Sequence, residues 1–244
     1  MKTLFIAWQD PKTRRWLTVG RLDRDTNGGY CFRYTQGAEM SPRFSYLGRM
    51  IDKRRTYYSN ALFPLFSNRL LTQKRPEYPA YLSWMGVADG ADPLEILARS
   101  GGRRGTDKLS VYPMLQPDAR GWVTLYFFAH GVRYLSEDEQ IAIPRLCHGE
   151  RLELRPEDDN REDRYALRLA SEQAIRVGYC PRYLNKDLHC VLQQTSVDLT
   201  VEKANDDAPM QFRLLCKAVF RLPAGCTLHE SDEHQLIAEP AMAA

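Results

Sequence analysis

Between Gly121 and Leu188 the chain reads GWVTLYFFAHGVRYLSEDEQIAIPRLCHGERLELRPEDDNREDRYALRLASEQAIRVGYCPRYLNKDL. Trp122 to Ala129 has the apolar density of a strand. Leu146, Leu152, Leu154, Leu167 and Leu169 recur at spacings that give two further short strands one buried face each. Between those strands lies PEDDNREDRY, too polar for a core and rich in side chains that bond their own backbone. AIRVGYCPRYL then reads as a strand ending at Gly178 and Pro181, followed by a Pro-Arg-Tyr loop. The result is a small antiparallel β unit that carries its chemistry in its loops.

Working outward, Gln116 to Arg120 is a polar turn and marks a domain boundary, giving one domain over about 1–115 and another over about 120–235. Downstream, VDLTVE and the run from Phe212 to Phe220 alternate as half-buried strands do. Residues after Leu236 are small and read as frayed. Upstream, Leu4 to Trp8, Trp16 to Leu22 and Tyr30 to Tyr34 read as three strands, the last two joined across Asn27-Gly28, a strong hairpin signal. An Arg-rich polar stretch follows from Gly37 to Arg55, then an apolar segment from Tyr57 to Leu71. Pro76 to Gly86 and Asp92 to Gly102 read as short helices, the second with an Asp N-cap, Pro at its first position and Gly past its end. The expected fold class is therefore mainly β with some helix: a small N-terminal sheet with short helices, and a C-terminal curved antiparallel sheet or partly open barrel.

At 244 residues, with 43% hydrophobic content, 13 tyrosines and four tryptophans, the chain has the composition of a folded protein. The net charge of +3 is too small to specify a partner. No apolar run reaches membrane-spanning length and no signal peptide is read at the start, so a cytoplasmic setting without a membrane partner is expected. Six cysteines include no C-x-x-C pair, and the expectation is free thiols, no bound metal and no cofactor. The glycines of GGRRGTD (Gly101 to Asp107) follow a helix and lack the order of a nucleotide loop. Arg103 and Arg104 are there either solvated at a helix exit or a rim for a phosphate backbone.

The ordered strings GVRY (Gly131 to Tyr134), GERLELRPEDDNREDRYALRL (Gly149 to Leu169) and VGYCPRYL (Val177 to Leu184) resemble the HIRAN domain, over about residues 120–225. That bacterial and helicase-associated family is a small β module that binds single-stranded DNA with a pocket for the free 3′-hydroxyl end. The resemblance implies a non-enzymatic DNA-binding role. Asp163 would accept from the 3′-hydroxyl beside Asn160, Arg133, Arg155 and Arg182 would contact phosphates, and Tyr134 and Tyr179 would stack on bases. Two positions depart from the family: Leu135 and Glu162 stand where DNA-gripping members have aromatics. The residues by themselves leave other roles open, with Asn160 and Asp163 as turn caps, the arginines paired with nearby carboxylates, and the tyrosines in the core. Residues 1–100 are also similar to the N-terminal subdomain of HipA-type toxin kinases, without the kinase body, which implies a protein partner on that side. Two further readings stand beside DNA-end binding: an antitoxin-like adaptor that touches no DNA, and a metal-dependent nuclease using Asp158, Asp159, Glu162 and Asp163.

Overall fold

The computed structural model describes residues 2–238. It divides the chain into two compact units, one made of the described parts of Met1–Arg75, Ala91–Met114 and His229–Ala244, the other of Pro76–Gly90 and Leu115–Leu228. Both sheets are antiparallel, and the fold is mainly β as the alternation predicts.

In the first unit β1 (Lys2–Gln9), β2 (Trp16–Arg24), β3 (Tyr30–Tyr34), β4 (Tyr57–Ser59) and β5 (Leu109–Pro113) form a five-stranded sheet in the order β4-β3-β2-β1-β5. Asp25 closes the β2-β3 hairpin by accepting from the backbone of Asn27 and Gly29, and Gly28 takes the positive φ that this turn requires. Leu4 and Ile6 face a core with Val19, Leu22, Phe32 and Phe66. Phe66 lies on the one-turn helix α1 (Pro64–Ser67), where Pro64 occupies the tolerated first position. The opposite face of β1 is also covered, because the Phe5 ring packs 5.0 Å from both His229 and His234. The returning tail is stitched on by Gln36 N to Gln235 O and by Ile237 N to Tyr34 O. The part of the expected frayed end beyond residue 238 lies outside the described residues.

Helix α2 (Tyr78–Met85) ends on Gly86 in the left-handed conformation and belongs to the second unit. There Asn205 donates to Trp84 O and the Trp84 indole donates to Asp207. Helix α3 (Pro93–Ser100) belongs to the first unit and has the caps read from sequence, Asp92 accepting from Leu94 N and Gly101 left-handed at its end.

The second unit is a curled half-barrel of β6 (Trp122–Phe128), β7 (Arg151–Pro156), β8 (Leu167–Ser171), β9 (Arg176–Tyr179), β10 (Asp198–Ala204) and β11 (Leu214–Arg221). Their order is β6-β11-β10-β7-β8-β9. Val123, Leu125, Phe127, Leu169, Val177, Leu199, Val201, Cys216, Ala218 and Phe220 are buried. The edges of the sheet approach each other, since His130, two residues past β6, bridges Tyr179 at the end of β9.

Two local readings need correction, and one stretch that the sequence reading left unassigned is a helix. The stretch after Pro181 is not a loop: Arg182–Leu192 is the eleven-residue helix α5, with Leu184, Leu188 and Val191 buried. Those three apolar residues stand at helical spacing, which is the signal for it. Residues Glu137–Ala142 form helix α4, closed by a capping box between Ser136 and Glu139. Finally, the cysteines are not all free. Cys190 on α5 and Cys226 form a disulfide, and Cys31, Cys147, Cys180 and Cys216 lie outside it.

Candidate nucleic-acid interface

Two glycines make the closure between β9 and the segment after β6 possible. Gly178 has φ +137°, and a Cβ there would lie 2.9 Å from His130 O and 3.0 Å from the Ala129 Cβ. Gly131 has φ +75°, and its Cβ would meet the Tyr179 ring at 3.2 Å. With no side chains in the way, His130 N donates to Tyr179 O at 2.8 Å and Tyr179 N donates to His130 O at 2.9 Å. This bridge sets the GVRY segment beside the end of β9. Val132 and Leu135 are buried, so the 3-10 turn Val132–Tyr134 pushes Arg133 and Tyr134 outward. Tyr134 is 71% exposed, and the Arg133 guanidinium sits 4.6 Å from its ring centroid while donating to its hydroxyl.

The polar loop between β7 and β8 reaches the same corner. Asn160 orders it: Asn160 Oδ1 accepts from Glu162 N and Asp163 N at 3.0 and 3.1 Å, and its amide donates to Glu157 at 2.6 Å. Glu157 in turn accepts from the Tyr179 hydroxyl at 3.3 Å. Asp163 Oδ1 accepts from Tyr165 N at 3.0 Å, and Oδ2 accepts from Asn185 on α5 at 2.8 Å. Arg182, the first residue of α5, lies 3.9 Å from Asp163 and 3.8 Å from Glu162. The capping role for Asn160 and Asp163 is thus real, and for Asp163 it coexists with a half-buried carboxylate at a helix N-terminus, where negative charge is favoured. Asn185 is buried and its Oδ1 has no hydrogen-bond partner.

Register supplies residues that the sequence does not single out. Arg155 on β7 opposes Arg168 on β8, Arg168 opposes Tyr179 on β9, and Tyr179 opposes His130. Directly opposed residues share a face, so one row runs Arg155, Arg168, Tyr179, His130. Arg155 itself is ion-paired with Glu153 at 2.5 Å. Arg176, the first residue of β9, binds Glu139 on α4 through two hydrogen bonds of 3.2 and 3.0 Å. That hydrogen bonding raises the Arg176 pKa further. Burial pushes the Glu139 carboxyl up, but the bonds from Arg176 and Ser136 outweigh it and hold the group below its ordinary range. Burial, reinforced by Glu157 and opposed by Arg176, raises the Tyr179 hydroxyl, which therefore stays a neutral donor.

The structure gathers Arg133, Tyr134, Asn160, Asp163, Tyr179 and Arg182 around this closing corner, with Arg155 two strands away on the same row. Arg103 and Arg104 belong to the other unit. Both are exposed on a loop whose base is braced by the buried Arg69, which donates to Gly102 O and pairs with Asp107. Glu162, one of the departing positions, is exposed; Leu135, the other, is buried and does not reach the surface. Asp158 and Asp159 are also exposed, and among the described residues no three His, Cys, Asp or Glu side chains converge as a cation site. Among the described residues no helix is long and apolar enough to cross a membrane.

Residues 123–222 match the family model described as HIRAN domain. The resemblance read from the GVRY, PEDDNREDRY and VGYCPRYL strings is borne out over that span, which is less than half of the chain. Among solved structures, a protein from Lactobacillus plantarum is 21% identical, with 41% of this chain and 98% of that one covered and a TM-score of 0.32. The HIRAN domain of human HLTF is 16% identical, with 42% of this chain and 81% of that one covered and a TM-score of 0.33. No curated protein matches the chain. The HipA-type resemblance of the N-terminal residues gains no support from any of these comparisons.

Proposed function

We propose that the C-terminal unit binds single-stranded DNA at a free 3′-hydroxyl end, and that the chain is a binding module and not an enzyme. The observation that carries this reading is the closure between His130 and Tyr179, because it collects what a strand end needs at one corner. An exposed ring at Tyr134 offers a stacking platform, worth roughly 1–3 kcal/mol per base and indifferent to base identity. Arg133 and Arg182 would contact phosphate oxygens. Asp163 uses one lone pair on each oxygen for Tyr165 and Asn185, and a carboxylate has about four such sites in all, so it can still accept from a hydroxyl. The family match supports DNA as the ligand class.

A 3′-phosphate would bring negative charge against Asp163, so the wild type is expected to prefer a 3′-hydroxyl oligonucleotide. Asp163→Asn keeps the shape, and rotation of the Asn185 amide lets its orphan Oδ1 accept from the new Nδ2. That variant is expected to lose the preference, by about 1.5–3 kcal/mol for a charge-assisted bond. Arg182→Ala should instead weaken all single strands alike and make the salt slope shallower by about 0.7. The test is a titration with oligonucleotides ending in 3′-hydroxyl, in 3′-phosphate, or offering only a 5′ end. Equal affinity of folded wild type for the first two sinks end recognition, and no binding of any strand puts the adaptor reading first. Shortening of the oligonucleotide during incubation with Mg²⁺ would overturn the non-enzymatic part.

A further inference from the structure

The first unit carries a second surface with the composition of a nucleic-acid contact, in the Arg-rich stretch to which the sequence assigned no role. From Ser41 to Met50 every third residue is buried, namely Ser41, Phe44, Leu47 and Met50, and the residues between them are exposed. The buried set fastens the stretch to the sheet. The Tyr34 hydroxyl donates to Met50 O and accepts from Leu47 N, both at 2.6 Å. Lys53 reaches inward to the carbonyls of Ala38 and Phe44 at 2.9 and 3.3 Å. The Tyr57 hydroxyl holds the backbone of Asp52 from both sides, at 2.8 and 2.9 Å. Irregular backbone fixed at this many points presents its outward side chains in a set order.

Those outward side chains include Tyr46, Arg49, Ile51, Arg54, Arg55 and Tyr58. Tyr58 is 78% exposed and lies on β4, the edge strand of the sheet; Tyr46 is 52% exposed. Two other cations of the stretch are committed, Arg43 to the buried Asp10 and Lys53 to backbone carbonyls. By contrast, among the described residues the guanidiniums of Arg49, Arg54 and Arg55 have no ion-pair partner, Arg55 resting over the Tyr57 ring at 5.7 Å. The carboxylate of Asp52 is turned back to accept from Arg54 N. Three guanidiniums without ion-pair partners among the described residues, with an exposed phenol on either side of them in the sequence, are complementary to a polyanion with stackable bases. An apolar protein surface would leave those charges without counterparts.

We propose that residues 46–58 form a second contact for single-stranded nucleic acid, with Arg49, Arg54 and Arg55 on backbone phosphates and Tyr46 and Tyr58 under bases. This surface is independent of the end-binding corner and reads no end, because phosphates and ring faces recur along a strand.

The test uses the full chain and a thymidine oligonucleotide carrying 5-iododeoxyuridine for photocrosslinking. In the wild type, crosslinks are expected at Tyr46 or Tyr58 in addition to those in the C-terminal unit. Arg49→Ala/Arg54→Ala/Arg55→Ala changes only exposed side chains and should leave the melting temperature in place. Its log–log salt slope should be shallower than wild type by about 2, at about 0.7 per phosphate contact, so that raising salt from about 50 to about 200 mM weakens the wild type roughly 20-fold more than the variant. The 3′-hydroxyl preference should persist in this variant. If the triple variant keeps the wild-type affinity and slope, and crosslinks stay within the C-terminal unit, the inference is overturned while end recognition stands, and the exposed tyrosines then belong to a protein contact. If the triple variant loses its slope while Asp163→Asn leaves the end preference unchanged, this surface stands and end recognition falls. A wild type that binds no strand overturns both.

Discussion

Gly178 shows how one residue type can carry a whole corner. Its backbone lies at a φ that L side chains rarely adopt, and the Cβ of any replacement would run into His130 O and the Ala129 Cβ. Gly178→Ala is expected to destabilise the second unit by roughly 1–3 kcal/mol, from strain and overpacking together. It should also weaken the proposed strand binding by displacing Tyr179. Denaturant unfolding and the oligonucleotide titration read the two effects, and a variant with unchanged midpoint and affinity would show that the bridge positions nothing. In the first unit Asp10 is the corresponding anchor. Its carboxylate is buried and accepts from Arg43, Ser41 and the backbone of Lys12 and Thr13. The hydrogen bond from Arg43, aided by the others and opposed by burial, holds its carboxyl well below the usual range. A group depressed in the folded state adds stability above its unfolded pKa of about 3.9 and loses it as pH falls through the folded value. Asp10→Asn should therefore be less stable than wild type at neutral pH, with the gap closing as the pH falls below about 4. A gap that stays constant from neutral to strongly acidic pH rules out this assignment.

Among the elements, α5 links stability to the site. Leu184, Leu188 and Val191 bury one stripe, while the first turn brings Arg182 and Asn185 to Asp163. Leu188 is fully buried, and Leu188→Ala is expected to cost about 2–5 kcal/mol from lost burial plus a cavity. Because the same helix holds Asn185 against Asp163, the proposed 3′-hydroxyl preference should fall before the protein unfolds. A loss under 1 kcal/mol, read from the unfolding midpoint, would mean that α5 is not part of the core. Most strands were legible from alternation or apolar density, β4 and β5 excepted, and α2 and α3 from Pro, Gly and Asp at their ends. Helices α4 and α5 had signals of comparable quality, Ser136 with Glu139 in one and the 184, 188, 191 spacing in the other. Both were obscured by the strand signals on either side.

On the scale of the whole molecule, the chain does not keep its units contiguous. Pro76–Gly90 belongs with the later residues, and the tail from His229 returns to the first unit. Glu233 accepts from Thr18 N at 2.9 Å, and His234 lies 3.0 Å from the Tyr112 hydroxyl. A chain ending at Leu228 is expected to lose protection in hydrogen exchange across β1 and β2, with β10 and β11 unaffected. Uniform protection in both would mean that the tail contributes nothing to the sheet it covers.

By itself the sequence determined the elements whose causes are local. The 2-residue alternation of Leu152 to Leu154 and of Leu214 to Phe220, the Asn27-Gly28 turn and the caps Asp92 and Gly101 all act within a few residues, and GVRY, PEDDNREDRY and VGYCPRYL were already enough to suggest the family. Tertiary structure alone decided the register. The row from Arg155 through Arg168 and Tyr179 to His130 depends on which residues oppose each other across three pairings, and a slip of one position would turn every side chain to the other face. The closing of β9 onto His130, the turning of Asp163 onto Asn185 and the docking of the tail on Phe5 join residues separated by 22 to more than 200 positions. No local propensity encodes such contacts. They form because, once the two cores are buried, these arrangements meet most of the hydrogen bonds of the polar groups involved.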